Sequence, residues 1–255
     1  MKTTLTTLGF IALTSVSAQL FAEVEFDRPG EGMGTGTIPV GQLAWEQGLP
    51  TLNYRESMVE GSKLKETTLN ADILLRTGLT DSLELRLGWD GPAWSQQKWN
   101  GHTEENDGLG DVSIGLKKAI DLDDDKLSMA VMAEALIATG NKGFSNEEDI
   151  YSLSSAVAYQ YSDLVSTSIT MRYEWQDSNW AISAIPSVDY QFTDRWSGYS
   201  ELIYRKAESQ ANEYALGTGV MYALNERVQL DASVGVDLDG QENSYFSGLG
   251  VSFLF

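Results

Sequence analysis

The sequence predicts an all-β chain closed into a transmembrane antiparallel β-barrel of about twelve strands, with short periplasmic turns and longer extracellular loops. Three observations predict it. Apolar and polar residues alternate with a period of two from Gln42 to the last residue. The segments so defined are about nine to thirteen residues long, the length a tilted membrane strand needs. The last of them, residues 244–255, has Tyr245, Leu249, Val251, Phe253 and Phe255 on one face and no later element to cover it, so another strand must pair with it.

Composition narrows the function classes. The 255 residues include no Cys, which removes disulfides, thiolate metal sites and a Cys nucleophile. No apolar run approaches the roughly 20 residues of a membrane-spanning helix. Lys2, an apolar run over residues 5–13 and the small residues Val16-Ser17-Ala18 predict a signal peptide over residues 1–22, cleaved after Ala18 or Ala22. A formal net charge of −20 argues against nucleic acid as a partner.

Residues 23–40 carry Asp27-Arg28-Pro29-Gly30 and further glycines at 32, 34 and 36. A phosphate loop would need a preceding strand and a following helix, and the alternation supplies neither. The segment reads as extended chain ahead of a barrel domain over 41–255, and it could lie inside the lumen as a partial plug. Strands are then expected at 42–54, 68–79, 83–89, 112–117, 127–138, 151–161, 165–175, 180–192, 196–205, 214–222, 228–238 and 244–255. The stretches 55–66 and 92–107 read as polar loops, and 141–149 as an acidic one. Tight turns are expected at Asp81, Asp163, Asp194 and Glu226. Short turns at one end and longer links at the other place both termini on the periplasmic side. The last strand should pair with the first.

Alternation alone does not say which face points inward, because a soluble barrel alternates too. Aromatics at strand ends decide it. Trp89, Trp175, Trp180, Tyr204, Tyr214 and Tyr245 fall near the outer rim, and Tyr190, Phe192, Trp196, Tyr222, Phe253 and Phe255 near the inner one. Two aromatic girdles around an aliphatic band match a bilayer. The opposite face, directed at the lumen, carries Asp72, Arg76, Glu84, Arg86, Asp111, Lys117, Glu134, Arg172, Glu174, Asp189, Glu201, Asp231 and Asp237. Spacing pairs Asp72 with Arg76, Glu84 with Arg86, and Arg172 with Glu174. These charges read either as a constriction that sorts solutes or as a salt-bridged filling. Their acidic excess predicts a mild cation preference. Gly217, Gly219, Gly235, Gly248 and Gly250 share a stretch of inner wall and read either as sites of strand bending or as room for a solute path or for the N-terminal segment to pack.

The chain is similar to a family on several short motifs taken in order: Asp27-Arg28-Pro29-Gly30 with Gly34-Thr35-Gly36-Thr37, Leu75-Arg76-Thr77-Gly78-Leu79-Thr80-Asp81, Leu83-Glu84-Leu85-Arg86, and Gly108-Leu109-Gly110-Asp111. They resemble the outer-membrane "transporter" family associated with the meta-pathway of phenol degradation. The resemblance runs from about Asp27 to the C-terminus and implies an outer-membrane barrel in small-molecule transport. A C-terminal Phe on the closing strand resembles the end signal of bacterial outer-membrane barrels. The expected partners are therefore membrane lipid and lipopolysaccharide, the barrel-insertion machinery through the Phe255 strand, and a small solute.

The expected function is passive passage of small solutes, aromatic or other organic compounds among them. The alternatives are a closed, salt-bridged barrel with a structural or surface role, and a membrane-embedded hydrolase. The hydrolase would need a Ser–His pair, and the one histidine, His102, lies in an expected loop beside Glu104 and Glu105. A lone His argues against a zinc site. No cofactor, metal or catalytic residue is implied.

Overall fold

A computed structural model describes residues 25–238 and 243–255; the expected signal peptide and most of the last predicted loop lie outside the described residues. Every regular element among them is a strand: β1 Leu43–Val59, β2 Ser62–Asn70, β3 Ile73–Thr80, β4 Leu83–Trp89, β5 Pro92–Trp99, β6 His102–Leu109, β7 Val112–Ile120, β8 Leu127–Ile137, β9 Ile150–Ser162, β10 Val165–Gln176, β11 Asn179–Gln191, β12 Trp196–Ala207, β13 Asn212–Asn225, β14 Val228–Asp237 and β15 Asn243–Leu254. Twelve of these, β1, β3, β4 and β7 through β15, form an antiparallel barrel. The closing seam joins β15 to β1 from Ala44↔Leu254 to Glu56↔Asn243, and Phe255 and Leu43 exchange backbone hydrogen bonds of 2.8 and 3.1 Å at its foot. Closure removes the free edge that the apolar terminal strand would otherwise present.

The outer surface is aliphatic. Leu87, Ile114, Leu116, Leu153, Ile169, Leu202, Leu216, Val234 and Leu249 are all exposed. A continuous apolar surface of this extent would aggregate in water and is what a bilayer requires.

The turns at the foot share one device. The Thr80, Ser162, Thr193 and Asn225 side chains each accept a hydrogen bond from the backbone N–H two residues on, at Ser82, Leu164, Arg195 and Arg227. This local bond lets a two- or three-residue link reverse the chain.

The other end departs from expectation. Residues 55–66 are not a loop: β1 runs on to Val59, turns at Glu60-Gly61 and returns as β2. Likewise 92–107 forms the hairpin β5–β6 around Asn100-Gly101. Both turns have positive φ at two successive residues, 51° and 78° in the first, 50° and 75° in the second. Two-residue turns of this kind match the twist of the strands they join. The expected strand 68–79 is also interrupted, ending as β2 at Asn70 and resuming as β3 at Ile73. Above this break β1, β2, β5 and β6 continue as a sheet that stands beyond the barrel, with β6 as its free edge. On the opposite side β10 and β11 are joined by only Asp177-Ser178, so the extracellular links are not uniformly long.

Candidate functional site

The cross-strand register fixes the inner face. Directly opposed residues share a face, and pairing runs Ala44↔Arg76, Arg76↔Arg86, Arg86↔Gly115, Gly115↔Glu134, Glu134↔Ser152 and Ser152↔Glu174. The same reasoning puts Arg172, Asp189, Glu201, Asp231 and Asp237 inside through Ser183, Tyr199, Gly217, Met221 and Ala215. Glu84 and Lys117 oppose each other.

Residues 25–40 run across this inner face and bond to most of the wall. Arg28 N–H donates to Glu46 on β1 (2.8 Å), and the Arg28 guanidinium reaches Asp72 (2.8 Å), Asp231 on β14 (3.4 Å) and the Leu249 carbonyl on β15 (3.2 Å). The N–H groups of Glu31 and Gly32 donate to the Glu201 carboxylate on β12 at 3.1 and 3.3 Å. Met33 N–H donates to Thr170 Oγ1 on β10 (2.9 Å), and its side chain packs on Ala130, Met132 and Ala156. Lys117 on β7 donates to the Gly34 carbonyl, Thr35 bonds Ser128 on β8, and Ile38 N–H donates to Glu84 on β4. Val40 then bridges Gly78 on β3.

Gly78 allows that last contact, since a Cβ there would collide with the Ile38 carbonyl. Gly78→Ala should lift residues 38–40 off β3 and expose them to proteolysis in the folded protein. A cleavage pattern identical to wild type would show the contact to be dispensable.

Beside β3, β4 and β7 the segment completes a buried ionic cluster. Arg76 binds Glu46 (2.9 Å) and Glu84 (2.8 Å), and Arg86 binds Glu84 (3.1 Å) and Asp27 (2.5 Å). Lys117 lies 3.7 Å from Asp27 and 3.9 Å from Glu84. Three bases face three acids, and Arg76, Lys117, Glu46 and Glu84 are at most 1% exposed. A set of charges this buried is tolerable only because it is mutually neutral.

Two of the three expected pairings are different ones. Asp72 pairs with Arg28 rather than Arg76, because Arg28 reaches into the lumen from the N-terminal segment. Glu174 pairs with Arg205 (3.5 Å) rather than Arg172, across strands instead of along one. Glu84–Arg86 forms as expected.

Asp111 serves a different purpose from the other inner charges. It precedes β7 and accepts hydrogen bonds from Gly140 and Asn146 N–H, both 2.8 Å, so it ties down the 138–149 loop. Burial would raise its pKa, but these backbone donors hold the carboxyl below the ordinary range.

The inner glycines lie against neighbouring side chains and the N-terminal segment. A Cβ at Gly250 would strike Arg28 and Asp231, one at Gly217 would meet Glu201 at 2.7 Å, and one at Gly219 would meet Pro29 at 3.3 Å. A side chain larger than hydrogen would not fit at these positions, which accords with the expectation that they leave room for the N-terminal segment.

Sequence reasoning missed Glu46, Asp27, Arg28 and Tyr199 as lumen groups. Glu46 was detectable as the charged member of the inward set Ala44, Glu46, Gly48 on the first strand.

The interior keeps a cavity of about 580 Å³ between the segment and a wall formed mainly by β8 through β12, with Met221 of β13 and Gln229 of β14 at its margin. It opens at the foot, where Asp124, Asp125 and Asp163 meet it, and is lined deeper by Glu25, Asp189 and Glu201. Arg28 and Lys126 are its bases, and Arg28 is already committed to Asp72 and Asp231.

On the outside, aromatic rings meet near both ends, across strands or two residues apart along one. The Tyr204 ring lies tilted against Tyr214 (5.3 Å) and Tyr54 against Tyr245 (6.2 Å) at the upper end, and Trp175 opposes Trp180. Trp196 meets Tyr222 (4.7 Å), Tyr190 meets Phe192 (5.6 Å) and Phe253 meets Phe255 (6.1 Å) at the foot. Trp89 ends β4 opposite Ile73. His102 opposes Trp99 beside the β5–β6 turn, exposed and outside the lumen.

Comparison with curated protein sequences finds no match. Among solved structures, an outer membrane channel from Pseudomonas putida F1 superposes with a TM-score of 0.65 at 13% identity, covering 89% of this chain and 100% of that one. The translocator domain of the autotransporter NalP from Neisseria meningitidis gives 0.57 at 9% identity, covering 88% and 90%. The KdgM porin, in complex with disordered oligogalacturonate, gives 0.54 at 13% identity, covering 80% and 98%. At these identities the likeness establishes the fold, that of bacterial outer-membrane barrels. The family model "Putative MetA-pathway of phenol degradation" matches residues 26–255, and the chain belongs to that family.

Proposed function

We propose that this protein is an outer-membrane channel for passive passage of small solutes, in which residues 23–40 act as a lumen plug. The observation that carries the proposal is a closed barrel whose interior is crossed by residues 25–40 yet keeps an acidic cavity of about 580 Å³ along one wall. The neutral cluster around Arg76 braces the β3–β4–β7 side, and passage belongs to the β8–β12 side. Solutes of the aromatic or small organic class accord with the family's description. The two aromatic bands act as interface girdles, separated by roughly 27 Å along β13 between Tyr214 and Tyr222. Residues 1–22 direct export, and the Phe255 strand is the contact for the insertion machinery.

Asp189, Glu201 and Glu134 are inner acids that form no salt bridge among the described residues, and they set the sign of the ions that pass. In a planar bilayer with a salt gradient the reversal potential should therefore report cation preference. Asp189→Asn with Glu134→Gln should move it toward zero. No current above background from folded protein would end the channel reading, and an unchanged reversal potential would take these acids off the ion path.

A further inference from the structure

The extracellular sheet carries an unexplained concentration of positive charge on its outward face. Tyr54 and Tyr245 mark that face by their direct pairing and ring contact in the upper aromatic band. Tyr54 opposes Thr67, so Lys65 and Lys63, two and four residues back along β2, point outward as well. Lys65 directly opposes Lys98 on β5. The outward rungs therefore read Leu52–Leu69–Trp94, then Tyr54–Thr67–Gln96, then Glu56–Lys65–Lys98. Each step is roughly 7 Å along the strands.

Like charges placed directly opposite each other across strands are unfavourable unless an anion joins them. Glu56 answers Lys63 at 2.5 Å and Lys65 at 3.7 Å. Lys98 faces Lys65 on one side and Thr103 on the other. The remaining acids of this face, Glu105 and Asp107, belong to β6 and stand lower, beside Gln96 and Trp94, with Glu105 accepting from Gln96. The inward face of the same sheet holds Glu66 and Glu104 instead, with Arg55 beside Glu66.

We propose that Lys63, Lys65 and Lys98 form a binding site for the phosphate groups of a membrane lipid of the outer leaflet, a phosphorylated glycolipid of the lipid A class. The polarity of the face matches that of the lipid. The cationic rung stands one step beyond the Tyr54 band, at headgroup height, and the apolar rung Leu52–Leu69–Trp94 lies one step below that band, for acyl chains. A free anion would use the lysines but not the apolar rung, which is why a lipid is the occupant. The site is independent of whether the lumen conducts.

The test is a titration of the whole folded protein in detergent, read by native mass spectrometry, with lipid A, dephosphorylated lipid A and inorganic phosphate as probes. Lipid A should bind the wild type, and K65Q/K98Q should bind it about thirtyfold more weakly. Dephosphorylated lipid A should bind the wild type no better than lipid A binds that variant. K118Q, at the foot of the barrel, should leave binding unchanged. Both lysines are exposed strand residues, and a retained heat-modifiable band on a gel verifies folding. Equal binding by K65Q/K98Q, equal binding of the dephosphorylated lipid, or an equal loss in K118Q would each overturn the proposal. Displacement of lipid A by an equimolar amount of inorganic phosphate would replace the lipid site with a free-anion site.

Discussion

Deleting residues 25–36 should raise single-channel conductance several-fold while the barrel stays folded. Within the lumen those residues reach β1, β7, β8, β10, β12, β14 and β15 through hydrogen bonds and ion pairs, so they occupy cross-section that water would otherwise fill. The barrel wall does not depend on them for its ladder, since every strand is already paired on both sides around the ring. A complementary experiment keeps the segment and fastens it. Met33 N–H lies 2.9 Å from Thr170 Oγ1 in a buried contact, and the chain has no Cys of its own. A Met33→Cys, Thr170→Cys protein cross-linked under oxidation should conduct no more than wild type, and reductant should release it. Conductance unchanged by the deletion would mean that the open path does not pass the segment.

Arg76→Met should cost roughly 3–5 kcal/mol of stability, the typical consequence of removing one partner from a buried ion group. Arg76 is the hub: it holds Glu46 and Glu84, lies 3.6 Å from Asp27 and donates to the Glu25 carbonyl at 2.9 Å. Without it, three carboxylates are left against Arg86 and Lys117, and the fully buried Glu46 loses its ion-pair partner. The change should appear as a large fall in the denaturant midpoint in lipid or detergent. Glu46→Gln should fall less, because the amide keeps a hydrogen-bonding group of the same shape against Arg76 and Arg76 still holds Glu84. A fall in Arg76→Met of under about 1 kcal/mol would place this cluster among ion pairs that contribute little.

The barrel itself was legible because its strands face lipid on one side and polar interior on the other, which writes a period of two into the sequence. The sheet beyond the membrane was not, because its inward face is polar and its outward face turns polar above the Leu52–Leu69–Trp94 rung. Residues such as Glu66, Gln97 and Glu104 oppose one another with no apolar counterpart, so alternation carries no signal there. Asn100-Gly101 did carry one, being the residue pair that a two-residue hairpin favours. Inward charges on the strands followed from alternation, whereas their partners did not. Arg28 reaches Asp231 across 203 positions of sequence, and no local pattern reports such a distance. Asp27 and Arg28 stood out only as a charged pair before a proline in a glycine-rich stretch.

The open edge of β6 is a hazard as well as a boundary. An unpaired strand outside the membrane is a template on which another chain could add. Here the edge presents Glu104, Glu105 and Asp107 in succession, on both of its faces. Two such edges brought together would oppose like charges along their length. The same acids that give the hairpin the look of a loop thus keep crowded neighbours in the membrane from joining their sheets, and the protein can stand a strand above the lipid without polymerising.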